Sequence, residues 1–416
     1  MPRLMIIADD LTGAADTAAC FAQAGLRTVV ALSLPETGFS RLRSQNPVSS
    51  YEVISLSTDS RQIAAGEAAW RTRRAALWLR KNGLATPGTL FYKKVDSLMR
   101  GHPAIELTVM MEALGLDRAL VAPAFPAQGR VTLAGQQVVG TGASARHIDL
   151  GQVFGLPHER SAAIHWLTLD QAGQAGRGWT AGEPGLYIAD AETEADLEAL
   201  ARAMLAGASM DPGIHLACGS AGLARALQRV AFQPANRTST AGRPARANLP
   251  GRFAWPVLVV AGSRAPALER QVEAARRSGI RVVVPGPSFL ESGAFRPEES
   301  DSALALAGIL RAGQPAILTT VGLPLSPLGD EIIAGRLASV AGGLVEAGLV
   351  GGLVLTGGDI AAALCRRLGT NLIELHGEPV PGIAAGALLD GKSAGLPVIT
   401  KAGAFECDLK LLISGF

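Results

Sequence analysis

The sequence is poor in net charge, in cysteine and in long apolar runs. Its 416 residues carry 38 Lys and Arg against 36 Asp and Glu, and this near balance argues against nucleic acid as a partner. The 4 cysteines are widely scattered, which excludes a disulfide framework and a zinc-ligand pair, so we expect reduced, buried thiols. No apolar run is long enough to span a bilayer, and Met1-Pro2-Arg3 leads directly into a predicted strand. We therefore expect a cytoplasmic protein without a membrane partner.

Glycine and hydrophobic residues, by contrast, are plentiful. The 49 glycines suit many tight turns, and a hydrophobic content of 48% is enough to fill large cores. The length fits two domains of roughly 200 residues each. No Gly-x-Gly-x-x-Gly segment follows the first predicted strand, which argues against a dinucleotide-binding dehydrogenase, and we do not expect a P-loop enzyme.

The chain is organised around the apolar run from Met5 to Ala8 and the two carboxylates that follow it. The run predicts a buried parallel strand, so Asp9 and Asp10 come at its carboxyl end, where open α/β sheets bind ligands. Thr12 or Gly13 then opens a predicted helix, and a helix cap is the alternative role for Asp10 or Thr12. Two adjacent acids repel each other, so the pair predicts a cation or a basic partner nearby.

Strands and helices alternate along most of the chain. This pattern predicts an α/β protein with two domains, each a mostly parallel sheet flanked by helices, and an active site in the cleft between them. A polar, turn-forming stretch without periodicity separates the two halves. We expect a first domain at 1–231, a linker at 232–250 and a second domain at 251–416. Residues 134–182 are too irregular to assign.

In the first domain, the predicted strands end in charged residues. Besides the first two acids, this set comprises Asp59, Arg61, Lys94, Asp96, Arg100 and Arg130. The mixture suits a small polar anion, because Arg and Lys can hold a carboxylate while an acid orients or deprotonates a hydroxyl. A solvated rim of ion pairs is the alternative. Lys94 and Asp96 stand two positions apart, as residues on one face of a strand do, so both can face one cleft.

In the second domain, the strands end in glycine and hydroxyl groups instead. These ends are Gly262-Ser263, Thr356-Gly357-Gly358-Asp359 and Ala402-Gly403. Glycines let a ligand approach the backbone closely, and the helices that follow supply partial positive charge for phosphate. Together the three ends predict a nucleotide site. Each of them taken singly has a simpler explanation as a tight turn.

An anion site in one domain and a nucleotide site in the other predict transfer of phosphate between them. This is the reaction of a kinase. Phosphoryl transfer needs positioning, neutralisation of charge by Mg²⁺ and cationic side chains, and a base for the attacking hydroxyl. The sequence therefore predicts a kinase that uses ATP and Mg²⁺.

Four segments resemble, in order and spacing, those of the four-carbon acid sugar kinase family. They are ADDLTGAADT at 8–17, KKVDSLMRG at 93–101, APAFPAQGR at 122–130 and TGGD at 356–359. The resemblance covers nearly the whole chain. It implies an N-terminal domain that binds a four-carbon sugar acid, such as threonate, erythronate or a 3-oxo-tetronate, and a C-terminal domain that binds ATP.

The resemblance also implies roles for particular residues. The substrate pocket would be lined by Asp10, Arg61, Lys94, Asp96 and Arg100. We also expect Asp9, Thr12, Ser97 and Arg130 to bind the substrate. ATP would be contacted by Ser263, Thr356, Gly357, Gly358, Asp359 and Gly403. Our hypothesis makes Asp10 or Asp96 the base, gives Lys94 and Arg100 the substrate carboxylate, and lets Asp359 help to order Mg²⁺.

Two other functions compete with the kinase. The first is a phosphatase that works through a phosphoaspartate, because Asp-Asp-Leu-Thr after a strand superficially resembles the Asp-x-Asp-x-Thr motif of the haloacid dehalogenase family. The acids are adjacent here instead of separated by one residue, which counts against it. The second is a sugar-acid sensor with a nucleotide-binding domain and no catalysis. The assembly state stays open, with a homodimer as one option.

Overall fold

The computed structural model describes most of the chain as two compact units. The described residues are 3–32, 50–155, 162–168, 170, 182–210, 215–232, 255–262, 265–292, 295–297, 300–324, 328–403 and 405–414. The N-terminal unit spans Met1–Ala245 and the C-terminal unit spans Arg246–Phe416. Almost all of the predicted linker at 232–250 falls outside the described residues, so the linker stays a prediction.

The strands of the N-terminal unit form one large sheet and one small one. They are β1 (Leu4–Ala8), β2 (Thr28–Ala31), β3 (Val53–Ser57), β4 (Leu90–Lys94), β5 (Arg118–Ala122), β6 (Arg130–Leu133), β7 (Gln136–Val139), β8 (Arg146–Asp149), β9 (Ile164–Leu167), β10 (Gly185–Ala189) and β11 (His215–Gly219). The large sheet has the order β2-β3-β1-β4-β11-β5-β10-β9, and every pairing in it is parallel. β1 is central and all of its residues are buried, as its apolar run predicts.

The helices of this unit follow the strands. They are α1 (Leu11–Gln23), α2 (Ala65–Lys81), α3 (Pro103–Leu114), α4 (Leu150–Phe154), α5 (Glu194–Met210) and α6 (Ala221–Ala231). Local sequence signals set both ends of α3. Pro103 starts it at a position that needs no amide donor, and Gly115 ends it in the left-handed conformation with a φ of 72°.

The small sheet accounts for part of the stretch that the sequence left unassigned. Its strands β6, β7 and β8 pair antiparallel in that order. Ala134 and Gly135 join the first two strands in a two-residue turn with φ values of 49° and 73°. Two consecutive positive φ values are typical of the type I′ turn, whose twist matches that of a hairpin.

The C-terminal unit holds a second sheet. Its strands are β12 (Val257–Ala261), β13 (Arg281–Val283), β14 (Ala316–Thr319), β15 (Gly352–Thr356), β16 (Leu372–Val380), β17 (Ile383–Leu388) and β18 (Pro397–Lys401). The order is β13-β14-β12-β15-β18-β17-β16, parallel from β13 to β18 and antiparallel beyond. The helices are α7 (Pro266–Arg277), α8 (Asp301–Arg311), α9 (Asp330–Glu346), α10 (Gly358–Arg367) and α11 (Leu409–Ser414).

The predicted fold class is therefore confirmed, with one addition. Each unit is an α/β structure with a mostly parallel sheet, but the C-terminal sheet continues into an antiparallel β16-β17-β18 meander. The sequence predicts a strand only over 372–375, whereas β16 continues to Val380 and is followed by β17, which the sequence does not predict. β17 is alanine- and glycine-rich, and such residues give little strand signal.

Two expectations from composition can be compared with this structure. Cys20, Cys218 and Cys365 are buried free thiols, and Cys407 is half-buried. Burial raises the pKa of the Cys218 thiol to about 12, which keeps it protonated and unreactive. Within the described ranges, no helix has both the length and the apolar character needed to cross a bilayer.

Candidate active site

Three neighbouring strands bring the charged residues of the N-terminal unit together. β1 lies between β3 and β4, with Ala8 opposite Ser57 on one side and Lys94 on the other. All three strands are parallel, so the chain leaves each of them at the same edge of the sheet. The turns after β1, β3 and β4 carry most of the predicted substrate-binding residues.

The guanidinium of Arg61 binds both carboxylates that follow β1. Its Nε and Nη2 donate to Asp9 over 2.6 and 2.8 Å, and its Nη1 and Nη2 donate to Asp10 over 2.9 and 2.7 Å. This is the basic partner that two adjacent acids require, so that prediction is confirmed. Asp59, two residues before Arg61, adopts a positive φ of 49° in the turn that follows β3.

Burial and charge act in opposite directions on the pKa of Asp9. Burial by itself raises the pKa of this carboxyl, but Arg61 and the ammonium groups of Lys93 and Lys94 outweigh it and hold the pKa below its usual value. The two carboxylates raise the pKa of Arg61 despite its burial. Asp9 and Arg61 are therefore both charged at neutral pH.

Asp10 caps helix α1 as well as pairing with Arg61. Its Oδ1 accepts from the amide of Gly13 over 2.9 Å and its Oδ2 accepts from the Thr12 hydroxyl over 2.6 Å. A Cβ on Gly13 would lie 2.5 Å from the Asp10 carboxylate and 3.0 Å from Lys94 Nζ, so only glycine fits there. The helix begins at Leu11, one residue before the predicted start, because Asp10 is its N-cap. Both roles weighed for Asp10, cap and ion-pair partner, are thus present together.

Lys94, Asp96 and Arg100 follow in the turn after β4. Lys94 is buried and its Nζ donates to the Val95 carbonyl over 2.9 Å. Arg100 binds Asp96 through Nε at 2.6 Å and Nη2 at 3.1 Å. Burial would raise the pKa of Asp96, but Arg100, Arg61 and Lys94 lower it to about 2. β4 ends at Lys94, so Asp96 lies in the following turn and not on the strand, and strand alternation was the wrong argument for their proximity.

Arg130 and Ser97 complete the predicted substrate set. Arg130 Nη1 donates to the Ser97 hydroxyl, while the buried Nε of Arg130 has no hydrogen-bond partner among the described residues. Burial lowers the pKa of Arg130, and Asp96 counteracts this effect. Gln137 on β7 stabilises the turn that contains Ser97, because its Nε2 donates to the Ser97 carbonyl over 3.1 Å. The small sheet thus helps to position the site.

A fully buried ion pair beneath this edge was not singled out in the sequence. Lys93 Nζ lies 3.0 Å from Glu106 Oε2 on α3, and both side chains are almost completely buried. Ser60, the residue before Arg61, donates its hydroxyl to the other oxygen of Glu106. The sequence carried one signal, since Glu106 stands between Ile105 and Leu107 in an apolar helix.

In the C-terminal unit, the predicted nucleotide-binding strand ends also meet at one sheet edge. β15 lies between β12 and β18, with Thr356 opposite Ala261 and Lys401. Gly357 follows with a φ of 104° and caps helix α10 without any side-chain hydrogen bond. A Cβ on Gly262 would lie 2.7 Å from Leu337 and 2.8 Å from Ile360, so this glycine serves close packing. Ser263 lies outside the described residues.

Two buried polar groups occupy this second edge. Thr356 is fully buried and its Oγ1 has no hydrogen-bond partner in the described part of the chain. Lys401, the residue before Ala402, was not predicted as a site residue; it is 1% exposed and donates from Nζ to the Ala402 carbonyl over 3.1 Å. Gly403 follows two residues later and is half-buried. Asp359 is exposed in the first turn of α10.

One further stretch of this unit matches the letters of a phosphate-binding loop. Gly386 to Ser393 reads G-x-x-x-x-G-K-S, a match that the sequence expectation against P-loop enzymes did not consider. Gly386 lies inside β17, and the stretch ends in the turn that leads to antiparallel β18. A P-loop joins a strand to a helix, so this stretch is a hairpin connection and the expectation stands.

The described residues contain no group of three or more His, Cys, Asp or Glu side chains arranged to hold a metal ion. A kinase Mg²⁺ is usually held by one or two carboxylates together with substrate phosphates, so it needs no such cluster. The single carboxylate of Asp359 beside the start of α10 fits that kind of donor set.

The described elements form a two-unit α/β protein with charged strand ends in one unit and glycine-rich strand ends in the other. Family models match both units, as a sugar-binding N-terminal domain over residues 4–227 and a nucleotide-binding C-terminal domain over residues 258–405. The chain belongs to the four-carbon acid sugar kinase family, which confirms the resemblance drawn from its motifs.

Curated relatives of the whole chain are kinases of such acids. A D-threonate kinase of Bordetella bronchiseptica is 34% identical and aligns over 97% of this chain and 94% of its own. A D-erythronate kinase of Heliobacterium modesticaldum is 30% identical, over 97% and 94%. A 3-oxo-tetronate kinase of Methylobacterium radiotolerans is 31% identical, over 98% and 95%. The expectation of a kinase of four-carbon acid sugars is confirmed at this level.

A solved protein of Salmonella typhimurium shares the fold. It has a TM-score of 0.72 with 20% identity and covers 98% of this chain and 97% of its own. At that identity the likeness supports the fold alone.

Proposed function

We propose that this protein is an ATP- and Mg²⁺-dependent kinase that phosphorylates a hydroxyl, in our hypothesis the terminal one, of D-threonate, D-erythronate or a 3-oxo-tetronate. One observation carries the proposal. In a unit matched by a sugar-binding family model, the turns after β1, β3 and β4 hold three carboxylates and their basic partners at one sheet edge. A small hydroxylated acid needs cations for its carboxylate and carboxylates for its hydroxyls.

We expect the substrate carboxylate to bind the cationic side chains that form the fewest hydrogen bonds within the protein. Arg100 is 60% exposed and pairs only with Asp96 among the described residues, so its guanidinium can turn toward an incoming acid. Arg130 keeps a buried Nε without a partner, and Lys94 has given one of its three hydrogens to a carbonyl. We therefore assign the carboxylate to Lys94 and Arg100, with Arg130 and Ser97 beside them.

Asp96 is the better candidate for the base. Asp10 accepts four hydrogen bonds, from Arg61, Thr12 and Gly13, and so is fixed in place. Asp96 loses its main partner if Arg100 moves to the substrate. Its low pKa suits a reaction whose loose transition state needs the hydroxyl oriented more than deprotonated in advance. Asp9, Asp10, Thr12 and Arg61 would then form a fixed wall that orients the sugar hydroxyls.

The nucleotide goes to the C-terminal edge. The start of α10 has no side-chain cap, so the Gly358 amide can donate to a phosphate oxygen, with Thr356 and Gly403 on either side. Gly357, whose own amide donates to the Lys401 carbonyl, lets the ligand approach the backbone closely. Asp359 would hold Mg²⁺ together with the phosphates. The metal supplies neutralisation of the charge on the transferred phosphoryl group. Ser263 stays a prediction, as do the interdomain cleft, a cytoplasmic location and a homodimer.

The two competing functions are less well supported. A phosphoaspartate mechanism needs a carboxylate free to attack phosphorus, whereas Arg61 binds all four oxygens of Asp9 and Asp10. A non-catalytic sensor has no specific observation in its favour, and the curated relatives are kinases.

A coupled assay of ADP release tests the proposal. The full-length protein is given ATP, Mg²⁺ and, in separate reactions, D-threonate, L-threonate, D-erythronate and the 3-oxo-tetronates. We expect turnover with at least one acid above the ATP-only blank, and a phosphorus NMR spectrum of its product identifies the phosphorylated hydroxyl. ADP release that never exceeds the blank, from protein shown to bind ATP, would leave the sensor as the better account.

A further inference from the structure

Lys401 is a buried cation for which the described residues supply no counter-charge. It is the last residue of β18 and 1% exposed, and its one hydrogen bond goes from Nζ to the Ala402 carbonyl over 3.1 Å. No carboxylate in the described part of the chain forms an ion pair with it. Burial lowers the pKa of Lys401 to about 8, with Cys407 as a weaker, opposing influence.

A comparable lysine in the N-terminal unit is paired. Lys93 is also fully buried, but Glu106 lies 3.0 Å from its Nζ. Burying an ammonium group without a partner costs several kcal/mol in general, so a buried lysine is normally found with an acid. The unpaired state of Lys401 therefore points to a negative charge that arrives with a ligand.

The surroundings of Lys401 suit a phosphate group. Lys401 and Thr356 are opposite each other across β15 and β18, so their side chains start from the same face of the sheet. Thr356 Oγ1 is buried and has no partner, and Gly357 donates its amide to the Lys401 carbonyl over 2.9 Å. That glycine caps α10 without any side-chain hydrogen bond. A cation, a hydroxyl and a helix start, the three donor types that hold phosphate, thus come together.

We propose that the ammonium group of Lys401 binds a phosphate group of the nucleotide, with the Thr356 hydroxyl as a second ligand. The proposal rests on the nucleotide site assigned above and adds to it the residue that neutralises phosphate charge. It needs no bond to form or break. Lys401 keeps its proton and donates from Nζ to a phosphate oxygen, where a dianionic phosphate stabilises the charged amine.

Binding of Mg²⁺-ADP to the full-length protein, measured by calorimetry without any sugar acid, tests this role. Lys401→Met should weaken binding by about 10- to 100-fold, because a hydrogen bond to a charged group is worth about 1.5 to 3 kcal/mol. Lys410→Met is the matched control, since it removes the same charge from an exposed position on α11 of the same unit. Its affinity should equal that of the wild type. Thr356→Val should weaken binding by about 2- to 10-fold.

Lys401→Met should fold, because it replaces an unpaired buried charge with an apolar chain of similar length. A second measurement on the unaltered protein covers the case in which it does not. Mg²⁺-ADP should slow acylation of Lys401 by an amine-reactive reagent relative to Lys410, as followed by mass spectrometry of the two peptides. Equal labelling with and without ADP, or a Lys401→Met variant with wild-type affinity, would overturn the role. If the wild type itself binds no ADP or ATP, the proposed function fails instead.

Discussion

The two units treat the charges at their strand ends in opposite ways. In the N-terminal unit, Arg61 spans Asp9 and Asp10, and Arg100 binds Asp96. In the C-terminal unit, Lys401 is the last residue of β18 and forms no ion pair with an acid in the described structure. At the first edge three carboxylates are already paired with arginines before any ligand binds, whereas the second edge has a buried cation without an acid partner among the described residues.

This difference fits the two ligands. A four-carbon acid carries one carboxylate and several hydroxyls, so a network of fixed donors and acceptors can read its shape. A nucleotide carries several negative charges, so a buried cation can form its ion pair with them when the nucleotide binds. In the proposed function, the paired charges would provide selectivity at the first edge, and the buried cation would provide affinity at the second.

The largest effect is expected from Asp96→Asn at the paired edge. We expect kcat to fall by about 10²- to 10⁴-fold, the usual contribution of a positioned acid or base, with little change in melting temperature. Asp117→Asn, at an exposed carboxylate of the same unit, is the matched control and should keep full activity. ADP release at saturating substrates measures the difference. Wild-type turnover in Asp96→Asn, with turnover lost in Asp10→Asn, would move the base to Asp10.

The next largest effect concerns stability and compares two buried lysines. Lys93→Met leaves Glu106 buried without its partner and should lower the free energy of unfolding by about 3 to 5 kcal/mol. Lys401→Met leaves no acid behind and should not be destabilising. Denaturant titrations of both variants give the comparison. Equal losses in the two would show that the lysines do not differ in the way described.

The smallest effect is a pH dependence of stability that Lys401 alone should produce. Its folded-state pKa of about 8 lies below the ordinary 10.5, so between these values the unfolded chain binds more protons at this position, and the stability of the wild type relative to that of Lys401→Met should rise with pH. The difference amounts to at most about 3 kcal/mol. Unfolding titrations from pH 7 to 10.5 should show the rise for wild type relative to Lys401→Met. Parallel curves for the two proteins would contradict it.

Much of the architecture could be predicted from local sequence signals. The position of β1 could be predicted because its apolar run stops at two acids. The need for a basic partner beside Asp9 and Asp10 also followed from their adjacency. Its identity did not follow from spacing, because the pairing of Arg61 with residues about fifty positions away is set by the parallel register of β1 and β3.

The features that were missed depend on tertiary burial. Lys93 looks like a neighbour of Lys94, but successive strand residues face opposite sides, which sends Lys93 to Glu106 and Lys94 to the site edge. Lys401 looks like an ordinary charged residue after a strand until its burial is known. The small sheet of β6, β7 and β8 escaped notice because its strands have only four residues each.

The double role of Asp10 limits how the acid specificity of this protein could be changed by laboratory evolution. Its carboxylate both starts helix α1 and satisfies Arg61, so a library that varies position 10 will consist largely of poorly folded members. Gly13 is equally hard to replace, since a Cβ there would lie too close to the Asp10 carboxylate. Arg100 lies in a turn and Arg130 begins β6, and each has a single side-chain partner among the described residues. New substrate preferences should therefore arise there first.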